Sequence, residues 1–345
     1  MRGVSDVLKS NMYGGISMSQ IKTIGVLTSG GDAPGMNACI RAVVRTGIAR
    51  GLKIKGIQRG YAGLLKEEIV DMDGHSVSDI IGRGGTILYT ARCLEFKQPE
   101  VQEEAANILK KHGIEGLVVI GGDGSFAGAR QLANLGIDTI GLPGTIDLDI
   151  ACTDYTIGYD TALMTAMEAV DKVRDTSSSH ERCSIIEVMG RNAGYIALRC
   201  GIATGAEDIF IPERRSDFSI ESVIKHVKDL RAQGKKHHII IYAEGMSKDV
   251  LPAADLAKII ETETGIESRA TELGHIQRGG SPTATDRFYA SMFGAKAVDL
   301  LLEGKSKRVV GYRKGEFVDY DINEALAMKK DIDEYEYSVS KLLVR

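Results

Sequence analysis

The chain has 345 residues, of which 26% are charged, and a formal net charge of -4 with neutral histidines. This length predicts two lobes, and the slightly acidic balance argues against a nucleic-acid-binding protein, whose surface would be basic. No uninterrupted apolar run reaches the roughly 18 residues of a membrane span, so we expect a soluble protein.

The ends and the cysteines add little chemistry. Residues 1–20 lack the apolar core of a signal peptide, and we expect them to form a disordered extension. The cysteines form no C-x-x-C pair, which is typical of reduced thiols in the cytoplasm and of neither a disulfide framework nor a zinc site. The residues concerned are Cys39, Cys93, Cys152, Cys183 and Cys200.

Short apolar runs rich in Val and Ile alternate with helical patterns along the chain. Strands are predicted, in chain order, at residues 24–28, 53–57, 117–120, 139–142, 184–188, 208–211 and 238–243. Helices are predicted at residues 36–50, 101–112, 125–135, 160–175, 193–203, 219–233, 256–264 and 285–302. Strands with two apolar faces that alternate with helices indicate largely parallel sheets covered by helices on both faces. The predicted fold class is α/β.

Three segments rich in Gly and Asp follow predicted strands, at residues 29–35, 121–125 and 143–149. Ligands of such sheets bind at the carboxyl ends of the strands, so these segments should converge on one site. The first is neither a Walker A loop nor a dinucleotide fingerprint, because both spacings are absent. Taken alone, it could be a tight turn in which Pro34 opens a helix.

The segment 121–125 favours phosphate binding. Its glycines let backbone N–H groups approach phosphate oxygens, and the helix behind them presents its positive end. Asp123 is placed to bind Mg²⁺ that a nucleotide carries. An ordinary turn with a capping Ser125 is the alternative.

Two carboxylates, Asp147 and Asp149, stand two residues apart at the end of a predicted strand. In extended backbone such residues point to the same side, so both could face one site. Phosphoryl transfer to an alcohol needs a carboxylate that accepts the hydroxyl proton and cationic groups that hold the phosphate charge. One Asp could serve as base while the other supports a metal. A solvated Asp-rich turn is the alternative.

Several basic residues lie in Gly-, Ser- or Thr-rich segments where a guanidinium could bind phosphate with two parallel hydrogen bonds. For each one taken singly, a solvated surface residue is the favoured interpretation: Arg92, Arg182, Arg191, Arg269 and Arg278. Glu244 could accept from sugar hydroxyls or simply be exposed. We assign His275 no acid–base role.

Five ordered segments together resemble the bacterial ATP-dependent 6-phosphofructokinase family. They are LTSGGDAPGMN at 27–37, GGDGS at 121–125, LPGTID at 142–147, EVMGR at 187–191 and GHIQRGGSP at 274–282. The resemblance runs from about residue 24 to the C-terminal region. It implies a cytoplasmic homotetrameric kinase of glycolysis that transfers a phosphoryl group from ATP, with Mg²⁺, to the 1-hydroxyl of fructose 6-phosphate.

The resemblance also implies roles for individual residues. The ATP contacts would be Gly31, Arg92, Cys93, Gly122, Asp123, Gly124 and Ser125, with Asp123 on Mg²⁺. The catalytic group would comprise the base Asp147 with Thr145, Asp149 and Arg191. Fructose 6-phosphate would contact Thr145, Ile146, Asp147, Met189, Gly190, Arg191, Glu244, His275, Ile276, Gln277 and Arg278. Arg182 and Arg269 would reach into the sugar site of a neighbouring subunit.

The implied division into lobes interrupts the sequence twice. A larger ATP-binding lobe would comprise residues 21–157 and 276–326, and a smaller sugar-phosphate lobe residues 158–275 and 327–345. An effector site for ADP or phosphoenolpyruvate is implied between subunits. Its residues would be Arg41, Arg45, Arg174, Gly205, Ala206, Glu207, Lys235, Lys236 and His237. Gly74 and Gln233 stand where basic residues are often found, so we expect weakened regulation.

Two glycines bear on the phosphoryl donor. Relatives that use pyrophosphate typically carry Asp at the position of Gly124 and Lys at that of Gly144, so the glycines predict ATP. Leu148 departs from the family's usual Asn, and Cys152 from a common Gly. The Leu either removes a donor from an aspartate or is only a packing change. The alternatives are a pyrophosphate-dependent enzyme, a catalytically weakened regulatory homologue, and an NAD or lipid kinase, which would lack segment 274–282.

Overall fold

The computed structural model of the protein describes residues 21–343, so the extension expected at residues 1–20 lies outside the described residues. The strands are β1 (Thr23–Thr28), β2 (Lys53–Ile57), β3 (Ile69–Met72), β4 (Gly116–Gly121), β5 (Asp138–Pro143), β6 (Cys183–Val188), β7 (Asp208–Phe210), β8 (His238–Ala243), β9 (Ser268–Glu272), β10 (Arg308–Arg313) and β11 (Glu316–Asp321).

The α-helices are α1 (Met36–Ala49), α2 (Gly60–Leu65), α3 (Pro99–Lys111), α4 (Asp123–Asn134), α5 (Tyr159–His180), α6 (Tyr195–Thr204), α7 (Ile220–Ala232), α8 (Glu244–Asp249), α9 (Ala253–Thr264), α10 (Ala284–Leu302), α11 (Ile322–Ala327) and α12 (Glu334–Leu342). Short 3-10 helices occupy Leu94–Lys97, Pro212–Asp217 and Gly274–Arg278. No helix among residues 21–343 is both long enough and apolar enough to cross a membrane.

The larger sheet has the strand order β11-β10-β5-β4-β1-β2-β3. Its central pairs are parallel, and the outer pairs β10–β11 and β2–β3 are antiparallel. After β1 the chain turns towards β2 on one side, and it later returns to β4 on the other. This reversal leaves a crevice at the carboxyl ends of β1 and β4, where ligands of such sheets bind.

The smaller sheet has the order β7-β8-β6-β9, and all its pairs are parallel. Every residue of β8 is buried, as expected for a parallel strand covered on both faces. The α/β class with largely parallel sheets is therefore confirmed.

Some elements escaped the sequence patterns, notably β3 and the β10–β11 hairpin. β3 and β11 are the edge strands of the larger sheet, and β10 pairs with β11. Polar residues interrupt all three strands, so they lack the continuous apolar run of the central strands. The turn Lys314–Gly315 has positive φ at both residues (51° and 88°), which is typical of a two-residue hairpin. The Lys-Gly pair between two short segments with apolar residues was the feature of the sequence that could have indicated this hairpin.

A buried carboxylate joins two helices near the passage from one sheet to the other. Asp286, in the first turn of α10, is fully buried. It accepts hydrogen bonds from the Tyr155 hydroxyl (2.6 Å), the Gly158 N–H (2.6 Å), and the N–H and hydroxyl of Thr161 (2.9 and 2.5 Å). It thereby anchors the N-terminus of α5, where a negative charge is favourable.

Candidate functional site

The three Gly- and Asp-rich segments meet at the carboxyl edge of the larger sheet. Ser29 N–H donates to the Ile120 carbonyl (3.0 Å), and the Ser125 hydroxyl donates to the Ser29 carbonyl (3.2 Å). Gly144 N–H donates to the Gly121 carbonyl (2.9 Å). The sequence predicted this convergence, and strand pairing produces it because β1, β4 and β5 are parallel neighbours.

The first turn of α4 forms an open cradle. Asp123 and Gly124 begin the helix, so their N–H groups belong to the set that has no partner within a helix, whereas Ser125 N–H donates to the Gly122 carbonyl (2.9 Å). A Cβ on Gly122 or Gly124 would meet no atom within 4 Å. Packing therefore does not require these glycines, and their open side can admit an anion at the helix N-terminus.

Three carboxyl groups of the site influence one another. Burial, and then the Asp149 charge, raise the pKa of both Asp123 and Asp147 to about 6. Burial also raises the pKa of Asp149. Such a repelling group suits a divalent cation.

Asp147 lies at the centre of this group and is only 7% exposed. Its backbone N–H donates to the Thr145 hydroxyl (3.2 Å). Among the described residues, no group donates a hydrogen bond to its buried Oδ1. A buried oxygen without a donor is available to a ligand.

The extended geometry expected for residues 147–149 is wrong. β5 ends at Pro143, and the chain then bends, with Leu148 in the left-handed region (φ 57°). This conformation suits Asn, whereas it is uncommon for a bulky apolar residue. The Leu148 side chain is 1% exposed and belongs to the apolar core. The substitution is therefore a packing change at a strained backbone position.

Residues at the carboxyl ends of strands in the smaller sheet form the side of the site opposite the larger sheet. The Gln277 side-chain oxygen accepts from Met189 N–H (2.8 Å), and Glu244 accepts from Gly190 N–H (3.2 Å) and Arg191 N–H. Arg191 and Glu244 line a cleft of about 720 Å³. The Arg191 charge lowers the pKa of Asp123 and Asp149 against the opposing effect of burial, so it acts across the gap between the sheets.

Arg278 joins the loops of the two sheets. Its Nη1 donates to the Asp32 carbonyl (3.0 Å), and its charge lowers the pKa of Asp147 against the larger effect of burial. A Cβ on Gly31 would lie 2.5 Å from this Nη1, so Gly31 permits the contact. His275 and Ile276, in the same 3-10 helix, are exposed. Within residues 21–343, the buried Gln277 Nε2 has no hydrogen-bond partner.

The segment that carries Arg92 and Cys93 borders the first loop. The neighbouring Thr90 hydroxyl donates to the Gly30 carbonyl (2.7 Å). Arg92 is exposed and Cys93 is half-buried.

Arg182 and Arg269 do not join the site of their own chain. Arg182 precedes β6 and Arg269 lies near the start of β9, whereas Met189 to Arg191 follow the end of β6. Both guanidiniums pair with Glu267, at 2.8 and 2.7 Å. At about 3.3 Å per strand residue, the length of β6 separates them from the site by roughly 20 Å.

The residues expected to bind effectors fall into two groups. Around the smaller sheet, Lys235 pairs with the buried Glu207, and Arg174 donates to the Thr204 carbonyl (2.5 Å) beside Gly205. The other members of this group are Ala206, which is buried, and Lys236 and His237, which precede β8. Arg41 and Arg45 lie instead on α1, which packs against α10 and the larger sheet.

Lys330 is a residue of the site that sequence patterns missed. Its Nζ donates to the carbonyls of Leu148 (2.8 Å) and Thr153 (3.2 Å) and lies 4.9 Å from the Tyr195 ring centre. Burial lowers its pKa to about 8. In the sequence it belongs to a Lys-Lys pair before a helix. Such a pair predicts a solvent-exposed segment and gives no indication of a site.

Comparisons with known proteins agree with this geometry. The phosphofructokinase family model matches residues 23–301. A relative from Clostridium botulinum (strain Loch Maree / Type A3), named ATP-dependent 6-phosphofructokinase, is 58% identical over 323 residues, covering 94% of this chain and 99% of the relative.

Solved structures agree as well. A phosphofructokinase structure from Saccharomyces cerevisiae gives a TM-score of 0.81 at 35% identity; the match covers 93% of this chain but 46% of that longer chain. A pyrophosphate-dependent phosphofructokinase from Marinobacter aquaeolei gives a TM-score of 0.80 at 24% identity, over 91% of this chain and 86% of that one, which shows the shared fold alone. The resemblance seen in the sequence is confirmed, and the chain belongs to the phosphofructokinase family.

Proposed function

We propose that the protein is an ATP-dependent 6-phosphofructokinase of glycolysis, acting in the cytoplasm, that transfers the γ-phosphoryl group of ATP to the 1-hydroxyl of fructose 6-phosphate. One observation carries this proposal. The Asp147 carboxylate is buried, its Oδ1 has no donor among residues 21–343, and its pKa responds to the charges of Asp149, Arg278 and Glu244, which come from both sheets. The name of the 58% identical relative supports it.

Asp147 is the proposed general base. It would accept the proton of the sugar hydroxyl as that oxygen attacks the phosphorus, and Thr145 holds its backbone through the 3.2 Å hydrogen bond. The Arg191 guanidinium, whose charge already acts on Asp123 and Asp149, would stabilise the phosphoryl oxygens in the transition state. Met189, Gly190, Glu244 and the residues 275–278 would hold the sugar phosphate.

The carboxylates Asp123 and Asp149 fit a magnesium ion. Their pKa values are raised by burial, and Asp149 raises that of Asp123 further, so a cation would relieve the repulsion. They do not belong to a tight three-ligand group among the described residues. This suits Mg²⁺, which takes one or two carboxylates together with phosphate oxygens and water, and which neutralises phosphate charge when bound.

ATP is the proposed donor, held by Gly31, Arg92, Cys93 and residues 122–125. The open space at Gly124 supports this, because an Asp there would place a carboxylate into the cradle. Gly144 carries a different constraint. A Cβ at that position would lie 2.9 Å from Ile120 Cγ2 and 3.1 Å from Met36 Cε, so a larger residue there would require these core side chains to move.

We also propose a homotetramer with sugar and effector sites between subunits. The distance of Arg182 and Arg269 from their own site supports a role in a neighbour's site. The separation of Arg41 and Arg45 from the Lys235–Glu207 group likewise supports an effector site that two chains complete. ADP or phosphoenolpyruvate would bind there weakly, because Gly74 and Gln233 supply no charge. The division into a nucleotide lobe and a sugar lobe is supported by the two sheets.

A coupled assay tests the proposal. Purified protein receives fructose 6-phosphate and Mg²⁺ with either ATP or pyrophosphate, and formation of fructose 1,6-bisphosphate is measured. We expect turnover with ATP, and a loss of kcat of about 10²–10⁴-fold for Asp147→Asn, the range of a general base. Turnover with pyrophosphate alone, or an Asp147→Asn variant with full activity, would contradict the proposal.

A further inference from the structure

A second cluster of potential ligands lies on the smaller sheet, away from the proposed active site. Asp208 begins β7, His226 belongs to α7 and His238 begins β8. Within residues 21–343, they are the one group of three or more His, Cys, Asp or Glu residues whose ligand atoms all lie within 4.8 Å of one another.

The contacts within this cluster are short. His226 Nδ1 lies 3.0 Å from Asp208 Oδ2, and His238 Nε2 lies 2.8 Å from the same oxygen. The two imidazole rings are perpendicular, with centres 5.5 Å apart. Both rings therefore direct a nitrogen at one carboxylate oxygen.

This spacing is close to that of a metal coordination shell. Bonds of about 2.0–2.1 Å in a tetrahedral site put neighbouring ligand atoms roughly 3.3 Å apart. Opening the present contacts by a few tenths of an ångström would admit an ion. The ligands are also well anchored, since Asp208 and His238 lie on paired strands and His238 is 5% exposed.

The cluster has an open side. Asp208 and His226 line a cleft of about 600 Å³, which has room for a water ligand. The cations that line this cleft are already paired: Arg214 with Asp331 (3.6 Å) and Glu334, and Lys341 with Asp217 (2.6 Å). The negative charge of Asp208 is therefore available to a bound cation.

We propose that Asp208, His226 and His238 form a binding site for a divalent transition-metal cation of the Zn²⁺ class. Two imidazoles, one carboxylate and a water are a ligand set that such ions prefer, whereas Mg²⁺ prefers oxygen ligands. The site is distinct from the magnesium position proposed at Asp123. Occupancy would cross-link β7, α7 and β8.

The test uses the full chain after removal of metals with a chelator. Co²⁺ and Zn²⁺ are titrated in excess Mg²⁺, which occupies the oxygen-rich carboxylate site, and binding is followed by calorimetry and by the visible absorption of Co²⁺. We expect one ion per chain, a Co²⁺ spectrum typical of mixed nitrogen and oxygen ligands, and a rise in Tm with Zn²⁺.

The matched variants are His226→Ala and His112→Ala. His112 also contacts a carboxylate, Glu67 at 2.8 Å, but within the described part of the chain no second imidazole joins this pair. His226→Ala should weaken binding at least about 100-fold, since even outer-shell changes cost 10–100-fold. His112→Ala should bind like the unmodified chain. Kinase turnover with Mg²⁺, but without added Zn²⁺ or Co²⁺, should be unchanged in both variants, which verifies that they fold.

Three results would overturn the proposal. They are failure of the unmodified chain to bind Co²⁺ or Zn²⁺, equal binding by His226→Ala, and a Co²⁺ spectrum without nitrogen ligands. Each would leave the cluster as a hydrogen-bonded triad only. The spectrum is recorded on the unmodified chain, so it decides the matter even if His226→Ala misfolds.

Discussion

The Asp147 carboxyl and its neighbour Asp149 make the pH dependence of the reaction predictable. Burial and the Asp149 charge raise the pKa of Asp147 to about 6. A base must be ionised, so kcat/KM should fall as the pH falls through about 6. Asp149→Asn removes one of the influences that raise this pKa, so the acid limb should move to lower pH.

The measurement is kcat/KM for MgATP against pH at saturating fructose 6-phosphate, because this quantity reports the enzyme before Mg²⁺ reaches Asp123 and Asp149. The rates are normalised because Asp149→Asn also lowers the rate. Asp123 titrates near the same pH, so the limb reports the coupled group. Asp175→Asn, on the distal part of α5, is the control and should leave the limb in place. A limb that stays put or moves upward in Asp149→Asn would disprove the assignment.

At the scale of single residues, the sequence predicts which side chains are reactive better than it predicts their backbone conformation. Asp147 is predictable from its residue type and its strand-end position. The backbone around it is not, because the left-handed Leu148 follows from core packing and from the Lys330 contact, about 180 residues distant in the chain. Lys330 itself is unpredictable, since its burial arises only once the C-terminal segment folds back onto the loop.

The hydrogen bonds that Asp286 accepts, here called the Asp286 clasp, connect α5 to α10. We expect their loss to lower the free energy of unfolding. Asp286 accepts four hydrogen bonds, two at each carboxylate oxygen. In Asp286→Asn, an N–H₂ group would replace one of these oxygens. This N–H₂ would then face the donors of Thr161, or those of Tyr155 and Gly158, and their hydrogen bonds would be lost. Breaking a buried charged network of this kind costs about 3 kcal/mol. Urea denaturation should therefore give a lower midpoint with an unchanged slope.

Asp255→Asn is the matched control, because Asp255 also lies in a first helical turn, but its side chain is 50% exposed and pairs with Lys258 at 3.1 Å. It should leave the midpoint nearly unchanged, as exposed ion pairs contribute little. Equal midpoints for Asp286→Asn and the unmodified chain would show that the clasp does not hold the two helices.

At the scale of elements, the periodicity of apolar residues identified the central strands and long helices, because the buried faces of these elements determine which nearby residues are apolar. Their bounds shifted by a few residues: α5 extends to His180, five residues beyond the prediction. Edge strands and the order of strands within a sheet depend on pairing partners far along the chain. The reversal beside β1, which creates the crevice, is a property of topology and has no local pattern.

At the scale of the whole molecule, the position of Arg182 predicts that subunits share active sites. The guanidinium pairs with Glu267 at the amino end of β6, roughly 20 Å from the site at the carboxyl end of the same strand. Arg182→Ala should raise KM for fructose 6-phosphate about 10–100-fold, the effect of losing a charge-assisted contact worth about 1.5–3 kcal/mol.

Mixed oligomers distinguish an Arg182 that acts in a neighbouring subunit's site from one that acts in the site of its own chain. Arg182→Ala chains keep Asp147, and Asp147→Asn chains keep Arg182, so a site shared between different variants would contain both residues. After dissociation and random reassembly of equal amounts, about a quarter of the sites should be intact if each takes its arginine from one neighbour. Activity at low fructose 6-phosphate should then rise well above that of either variant alone. Because no site within a single chain would be complete, an unchanged activity in the mixture would show that Arg182 does not act across subunits.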